Sequence, residues 1–473
     1  IKGMSGSQPA LFAAAYYDAF PSRMVFVLPD REEAAYFLND LENILGERAA
    51  LFFPSSLKKP YTYPYLDNNN VLLRAEVLTH LSKNVKPLPV VTYAEAFHER
   101  VVTKKALVSN TVEARVGEAL SVDFIIEFLN ENDFERSDFV LEAGQFAVRG
   151  GIVDVFSFAN ELPFRMEFND NIIESIRVFD PSTQLSEKNM NHITIIPNVQ
   201  GKLVSQEHQS FPEFLPAETI IWFVDGDHSF EMMQSGLKRM NESSAAIDTD
   251  EYNADSVIMP GKPDEVFDAP DKIAKLLQQF RIVESGTRFH FRHQHELQFR
   301  SRPQPSFNKN FELLGRAFLE NVRSGYKNII FADSAKQIER IYAIFNDIKI
   351  PEKKAGEEIS FTPMLLSLHQ GFIDDDLKLV CFTDHQVFDR YHRFRLRKNY
   401  SKSEALSLKE IYALKPGDFI THIDHGVGKF AGLEKVDVNG KTQEAIRLVY
   451  KDNDILYVSI HSLHRISRFT GKD

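Results

Sequence analysis

Apolar residues along this chain follow two spacings, one typical of buried strands and the other typical of helices. Short apolar runs predict buried strands at 24–28, 90–92, 220–224 and 379–382. After Pro29 and Asp30, helical spacing predicts one apolar helix face, made of Phe37, Leu38, Leu41, Ile44 and Leu45. The alternation of such strands and helices predicts α/β folding in three parts of the chain, residues 1–106, 201–305 and 306–400.

Between residues 107 and 200 the alternation gives way to short strands. After one helix capped by Ser121, the strands are interrupted at Gly150–Gly151, where we expect a turn or bulge. In the next strand, Phe164, Met166 and Phe168 share one face, while Arg165 and Glu167 share the other. A sheet with one apolar face and one arginine-bearing face favours a protein-docking surface.

Short strands also fill residues 405–473, with turn signals at Asn439–Gly440 and at 451–454. So many strands in a short stretch predict a small β-barrel of the SH3 or Tudor type. Gly426 and Gly428 predict a tight turn with unusual φ angles. The polar, proline-bearing stretch 300–306 predicts a linker.

With 473 residues the chain exceeds the size of a single hydrophobic core, so several domains are expected. Its net charge of −12 argues against a broad nucleic-acid-binding surface. The only cysteine, Cys381, cannot form an internal disulfide, which favours a reducing cytoplasm. No apolar run is as long as a membrane span. Because the chain starts at Ile1 without a methionine, we expect a fragment of a longer protein.

The first ten residues look like a phosphate-binding loop that has lost its chemistry. A working loop needs glycines that let N–H groups reach the phosphates, a lysine for the β/γ charge, and Ser or Thr for magnesium. Gly3, Gly6 and Ser7 remain in this degenerate loop, but Pro9 and Ala10 stand at the lysine and Ser/Thr positions. We therefore expect Pro9 to open a helix and the loop to bind no nucleotide.

The strand 220–224 leads to the same expectation. In P-loop ATPases such a strand is followed by Asp–Glu, in which Asp serves the magnesium shell and Glu orients water. Here Asp225 remains, but Gly226 follows it. We therefore expect no ATP hydrolysis by this chain, and the alternative for both residues is an ordinary loop with acidic caps.

Two further clusters each have competing interpretations. Tyr61, Tyr63 and Tyr65, beside Lys58 and Lys59, are suited to stacking on unpaired bases, but alternate tyrosines also line one face of an extended strand. The histidine cluster matches no zinc-binding spacing, and we interpret it as part of a strand or helix face: His290, His293 and His295.

The stretch 144–168 resembles the module with which the excinuclease component UvrB and the bacterial transcription-repair coupling factors bind UvrA. Residues 1–300 are similar to UvrB, and residues 414–469 to the RNA polymerase-interacting domain of the coupling factors, which UvrB lacks. The combination is typical of the N-terminal part of a coupling factor. It implies a multidomain α/β chain: a UvrB-like domain with a degenerate phosphate loop, an inserted α+β UvrA-binding module, a further α/β domain and a C-terminal barrel.

The resemblance also implies two protein partners. In the family, UvrA binding uses two arginines and a nearby aromatic residue. The arginine positions fall on Arg149 and Arg165, and the aromatic position, next to Phe168, falls on Asn169, which is not aromatic. The alternative for Arg149 is a structural pair with Asp154 or Glu167. The barrel is expected to add an edge strand to the RNA polymerase β subunit, through Leu433, Glu434, Lys435 and Val436.

The family carries its motor in translocase domains that this chain does not contain. The resemblance therefore implies that ATP, magnesium and most DNA contacts belong to those domains, and that this bacterial, cytoplasmic fragment holds no cofactor and is not an enzyme. Two other functions remain open. One is a UvrB-type ATPase or helicase with unusual nucleotide contacts, and the other is a DNA damage-binding module that uses the Tyr61–Tyr65 region.

Overall fold

The structure is a computed structural model in which several sheets are combined with helices. It describes residues 1–61, 67–82, 86–109, 111–132, 134–158, 160, 162–181, 183–196, 208–244, 262–348, 350–351, 353, 357–390, 414–422, 425–438, 441–451, 454–459 and 466–468. The chain divides into two compact units, Ile1–Val108 with Val199–Arg397, and Ser109–Asn198 with Lys398–Asp473. Within the described ranges, none of the helices combines the length and the apolar character that a membrane crossing requires.

The helices are α1 Gln8–Ala19, α2 Arg31–Leu45, α3 Asn68–Ser82, α4 Ala94–Phe97, α5 Lys104–Ser109, α6 Val122–Glu131, α7 Phe211–Phe214, α8 Gly226–Ser244, α9 Pro263–Val266, α10 Pro270–Leu277, α11 Phe311–Arg323, α12 Ala335–Asp347 and α13 Asp384–Val387. The strands are β1 Met24–Leu28, β2 Leu51–Phe53, β3 Val90–Tyr93, β4 Val101–Val102, β5 Val112–Arg115, β6 Glu135–Arg136, β7 Gln145–Arg149, β8 Ile152–Val155, β9 Phe164–Asn169, β10 Ile172–Phe179, β11 Ser186–Met190, β12 His192–Ile195, β13 His208–Gln209, β14 Ile220–Val224, β15 Arg281–Ser285, β16 Ser301–Pro303, β17 Lys327–Ala332, β18 Thr362–Leu365, β19 Phe372–Asp374, β20 Leu379–Thr383, β21 Phe419–His422, β22 Gly426–Val438, β23 Lys441–Val449, β24 Ile455–Ser459 and β25 Ile466–Arg468.

A parallel sheet in the order β15-β14-β1-β3-β2 forms the centre of the first unit. Three of its strands, β1, β3 and β14, are predicted apolar runs, whereas β2 and β15 were not predicted. Every residue of β1 and β3 is buried, as in the inner strands of a sheet that is covered on both faces. Helix α2 begins after Asp30, whose carboxylate accepts the Glu33 N–H at 2.9 Å. The predicted alternation of strands and helices is confirmed here.

A second sheet of the same unit has the order β16-β19-β20-β17-β18. The predicted linker at 300–306 is wrong, since Ser301–Pro303 pair antiparallel with β19 as an edge strand. Arg300 and Arg302 hold this strand through hydrogen bonds to Asp376 and Asp375, at 2.6 and 3.1 Å. Proline at position 303 is compatible with an edge strand, because an edge strand has a strand partner on one side only and the N–H groups of its other side are not needed for pairing.

In the second unit, strands β6 to β11 form a six-stranded sheet in the order β11-β10-β9-β8-β7-β6. The turn between β7 and β8 contains Gly150 at φ 61°, as its sequence predicts. Side chains on one face of the sheet are buried, among them Phe146, Val153, Phe164, Met166 and Ile176. The opposite face carries Arg165 and Glu167, so the predicted separation of an apolar and an arginine-bearing face is confirmed.

Residues 414–468 of the second unit form an antiparallel sheet in the order β24-β23-β22-β21-β25. Gly426 opens β22 with φ 72°, as expected, but the prediction of an unusual φ at Gly428 is wrong. A Cβ at Gly428 would lie 3.1 Å from the Tyr450 ring, so glycine lets this ring approach the strand closely. The predicted turn residues Asn439, Gly440, Asp452 and Asn453 lie outside the described residues.

Candidate protein-docking site

Two arginines share one buried carboxylate on the polar face of the six-stranded sheet. Asp154 on β8 lies opposite Arg165 on β9, and its side chain is fully buried. Arg165 donates to both carboxylate oxygens, from Nε at 2.7 Å and from Nη2 at 2.8 Å. Arg149, at the end of β7, donates from Nη2 to the same carboxylate. We call Arg149, Asp154 and Arg165 the arginine cluster.

The two arginines of this cluster differ in what they offer to a partner. The Arg165 side chain is 16% exposed, donates from Nη1 to the Gln184 carbonyl at 3.2 Å, and stacks on the Phe179 ring. Its hydrogen bond to Asp154 raises the pKa of Arg165, so the guanidinium stays charged. The Arg149 side chain is 40% exposed. Arg149 therefore provides the cluster's accessible guanidinium, and Arg165 anchors the carboxylate beneath it.

The structural pair considered for Arg149 is present, and its partner is Asp154, because Glu167 accepts instead from Ser175 and Arg177 on β10. A structural pair and a docking role are compatible here. A shared carboxylate fixes the orientation of both guanidinium planes, and two positive groups around one negative group leave a net positive charge.

The other residues expected at this site provide little aromatic surface. Phe168 is partly buried, and Asn169 is exposed at the end of β9. Sequence reasoning missed two exposed leucines near the arginine cluster, Leu141 at 40% and Leu185 at 70% exposure. The loops that carry them are joined by Gln184, whose Nε2 donates to the Val140 carbonyl at 3.2 Å. The sequence could have indicated these leucines only as single apolar residues in polar segments. This signal is weak, because exposed leucines are common on protein surfaces.

The degenerate phosphate loop lies in the first unit, at the start of α1. Gly3 and Gly6 have positive φ, Ser7 precedes the helix, and Pro9 is in the first turn, as predicted. The Ser7 N–H donates to the Gln370 carbonyl at 3.0 Å, and the Gln370 N–H donates to Ser7 Oγ at 2.9 Å. These residues do not fit a nucleotide phosphate, since a peptide uses the Ser7 N–H donor and no lysine follows.

Asp225 and Gly226, which follow β14, have structural roles against the loop after β15. Asp225 has φ 48°, and its carboxylate accepts the N–H groups of Thr287 and Arg288 at 2.7 and 2.9 Å. A Cβ at Gly226 would lie 2.1 Å from Glu284 Oε1, which accepts the His290 N–H. Asp225 therefore matches the alternative of an ordinary loop, whereas Gly226 is the first residue of helix α8.

Tyr61 of the aromatic cluster lies in packed surroundings, whereas His290, His293 and His295 are exposed and belong to no helix or strand, so their predicted place on a strand or helix face is wrong. Tyr61 is partly buried, its N–H donates to Glu95 Oε1 at 3.1 Å, and the Arg239 guanidinium lies 4.8 Å from its ring centre. Tyr63 and Tyr65 lie outside the described residues. The His290 ring stacks on Phe230 with 3.8 Å between centroids. In the part of the chain that the structure describes, no three His, Cys, Asp or Glu side chains are grouped to hold a metal.

The expected polymerase-binding strand is the second half of β22. Its first residues pair with β21 only as far as Lys429, whereas Leu433 to Val438 pair with β23. Among the described residues, the other side of 433–438 has no strand partner. The Leu433 side chain packs on the sheet's core, while the Glu434 carboxylate accepts from Arg447 and Tyr457 at 2.7 and 2.9 Å.

Comparison with known proteins finds two family matches within the chain. Residues 112–200 match the UvrB interaction domain, and residues 414–470 match the CarD-like/TRCF RID domain. The first match contains the complete arginine cluster, and the second contains β22.

Curated relatives match along the whole chain. The transcription-repair-coupling factor of Staphylococcus haemolyticus (strain JCSC1435) is 21% identical over 535 residues, and that of Staphylococcus aureus (strain USA300) is 22% identical over 532 residues. In both cases the match covers 100% of this chain and 45% of the relative. The chain thus spans less than half the length of these relatives, and the resemblance that the sequence motifs indicated is confirmed.

Proposed function

We infer that this chain is the UvrA- and RNA polymerase-binding part of a transcription-repair-coupling factor. The observation that carries the UvrA half of this proposal is the arginine cluster, which lies within the stretch that matches the UvrB interaction domain. In this proposal residues 1–305 form the UvrB-like domain, and residues 107–200 form the module inserted into it.

The arginine cluster is suited to binding a carboxylate-rich partner. Arg149 is oriented by Asp154 and by its Nη1 hydrogen bond to the Asp138 carbonyl at 3.3 Å. A side chain already held in position loses less conformational entropy when a partner binds. Arginine presented in this way is a frequent anchor in protein interfaces. We therefore propose that Arg149 contacts UvrA directly and that Arg165 acts through Asp154.

The apolar part of this contact comes from Leu185 and Leu141 in our proposal, since Asn169 cannot supply it. Both leucines are exposed, and Gln184 ties their loops to each other and to Arg165. An anchor of this kind needs apolar neighbours that exclude water from the charged contact.

For RNA polymerase, we propose that the sheet formed by residues 414–468 is a small SH3- or Tudor-like barrel that uses Leu433–Val438 to extend a sheet of the β subunit. Among the described residues, no strand pairs with the other side of this stretch, which supports the proposal because unpaired backbone N–H and C=O groups are what an added strand binds. The contact is then made mainly by backbone hydrogen bonds, and the side chains of Glu434 and Lys435 contribute to its specificity.

The proposal assigns no catalysis to this chain. The donor at Ser7 is satisfied internally, and Pro9 stands where a lysine would meet phosphate charge. Saturable ATP binding by the chain would instead favour the UvrB-type ATPase.

The test is a calorimetric titration of the chain with UvrA, using Arg149→Glu and the matched control Arg115→Glu. Arg115 is an exposed arginine of the same module, and its side chain pairs with Glu113 at the surface. We expect Arg149→Glu to weaken binding roughly 10- to 100-fold, the value of a charge-assisted hydrogen bond, and Arg115→Glu to change it little. Equal affinities for the two variants would reject the site, and absence of binding by the native chain would reject the function.

A further inference from the structure

In the first unit, one peptide segment lies on the degenerate phosphate loop. Residues 366–371, which connect β18 to β19, form this docking segment. Its residue Gln370 accepts a hydrogen bond from the Ser7 N–H at 3.0 Å and donates one to Ser7 Oγ at 2.9 Å. A carbonyl oxygen carries partial negative charge, so it suits the positive end of α1 where a phosphate would otherwise lie.

Helix α2 supplies a second set of contacts to the docking segment. Asp40 is 3% exposed, and its carboxylate accepts the His369 N–H at 2.7 Å. The Asn43 side chain donates to the Ser367 carbonyl at 2.8 Å. The Tyr36 and His369 rings stack with 3.5 Å between centroids and 14° between planes. Helix α2 therefore binds the backbone of the docking segment through two hydrogen bonds and its His369 side chain through ring stacking.

An apolar contact and a buried polar contact complete the site. Leu368 is 1% exposed and belongs to a cluster with Phe331 and Phe372, against which Leu11 and Ile44 pack. Gln8 Nε2 donates to Asp374 Oδ2 at 2.7 Å, where both side chains are buried. The loop, α1 and α2 thus present hydrogen bonds, an aromatic ring and an apolar surface to the docking segment, and Gln8 adds a hydrogen bond to β19, the strand that follows the segment.

The glycines of the loop and of the segment approach each other closely. A Cβ at Gly6 would lie 2.5 Å from the Gly371 carbonyl oxygen, and a Cβ at Gly371 would lie 2.1 Å from Gln304 Oε1. The close approach of the docking segment therefore explains why position 6 is glycine. In a working phosphate loop, glycine is needed for the same reason, since it lets the phosphate approach the backbone closely.

We propose that the degenerate phosphate loop is a peptide-binding site, and that its ligand is the chain's own docking segment. The sheet that contains β16 to β20 is then held on the parallel sheet by a site that once suited a nucleotide. This assigns a role to residues 306–390 that neither family match covers.

The test is hydrogen exchange, measured by mass spectrometry, on peptides that cover the docking segment in the intact chain. Ser7→Ala removes the acceptor of the Gln370 N–H without adding bulk, and Gly6→Ala adds a methyl group that meets the Gly371 carbonyl. We expect faster exchange of the segment in both variants, by about tenfold or more in Gly6→Ala. Circular dichroism checks that each variant remains folded.

Gly325→Ala is the matched control for backbone strain. Gly325 has φ 80° in the same unit, and a Cβ there would meet nothing within 4 Å. Its substitution should leave exchange of the docking segment unchanged. Unprotected His369 and Gln370 amides in the native chain would overturn the proposal. So would equal exchange in Ser7→Ala, Gly6→Ala and Gly325→Ala, or ATP that binds and displaces the segment.

Discussion

The buried carboxylate of Asp154 accepts two hydrogen bonds from Arg165, at 2.7 and 2.8 Å, across adjacent strands. Arg149 completes the contact from the next strand of the sheet. The residue that organises the proposed UvrA surface is thus an acid that a partner cannot reach. This separates the residues that hold the surface together from those that a partner touches.

Asp154→Asn should destabilise the module and weaken UvrA binding together. The amide cannot balance two guanidinium charges, and loss of one partner from a buried ion pair costs roughly 3 kcal/mol. Urea denaturation measures the loss of unfolding free energy. Asp138→Asn is the control. Asp138 is exposed, and it contacts Arg149 through its backbone carbonyl, which the substitution keeps. Equal stabilities for the two variants would show that Asp154 does not organise the surface.

Leu185→Asp should weaken UvrA binding about tenfold while leaving the module's stability unchanged, since a side chain that is 70% exposed contributes little to folding. Binding titrations and thermal denaturation measure the two quantities. Leu377→Asp is the control, because Leu377 is 68% exposed and lies in the first unit. If Leu185→Asp binds UvrA as the native chain does, the apolar contact lies elsewhere.

Proline substitutions on β22 should identify the strand edge that binds polymerase. Successive residues of a strand direct their N–H groups to opposite sides. Lys435→Pro and Val436→Pro therefore affect different edges, and one of them should leave the β22–β23 ladder intact while abolishing co-purification with RNA polymerase. Circular dichroism identifies the folded variant. Polymerase binding by that folded variant would contradict the strand-addition proposal.

The sequence predicts elements where the signal is local. The apolar run of β14 and the Asp30 cap of α2 define their elements without help from distant residues. The strand β16 was missed because it is polar, and the aspartates that hold it lie more than seventy residues away. The docking segment was missed for the same reason, since Gln370 and Ser7 are 363 positions apart and no periodicity links them.

At the candidate site, a resemblance to known motifs located Arg149 and Arg165, but it could not rank them. Their different exposure depends on the loops that cover the sheet, through Phe139 beside Arg149 and Gln184 beside Arg165. Leu185 was missed because single exposed leucines are common on protein surfaces. Leu185 is placed near the arginine cluster by the preceding residue, Gln184, whose carbonyl accepts a hydrogen bond from Arg165.

The first unit should lose stability as the pH rises from 6 to 8, through Asp40. Burial raises the pKa of Asp40 from 3.8 to about 7, against the opposing hydrogen bonds from Ser7 and His369 and the nearby charge of His385. The unfolded chain releases this proton near pH 4, whereas the folded chain retains it until about pH 7. The stabilisation is therefore complete below pH 4 and is lost as the pH rises through 7. Over two pH units around this value the loss is about 1 kcal/mol.

Urea denaturation of the native chain and of Asp40→Asn, at pH 6 and pH 8, measures this contribution. Asparagine is neutral at both pH values and keeps an oxygen that can accept the His369 N–H, so its stability should change less between them. The comparison isolates Asp40 from Glu95, whose pKa burial also raises to about 7 and which is present in both proteins. Equal pH dependence in the two proteins would mean that Asp40 does not retain its proton when the docking segment is bound. The segment would then be held by the Ser7 and Leu368 contacts without proton uptake.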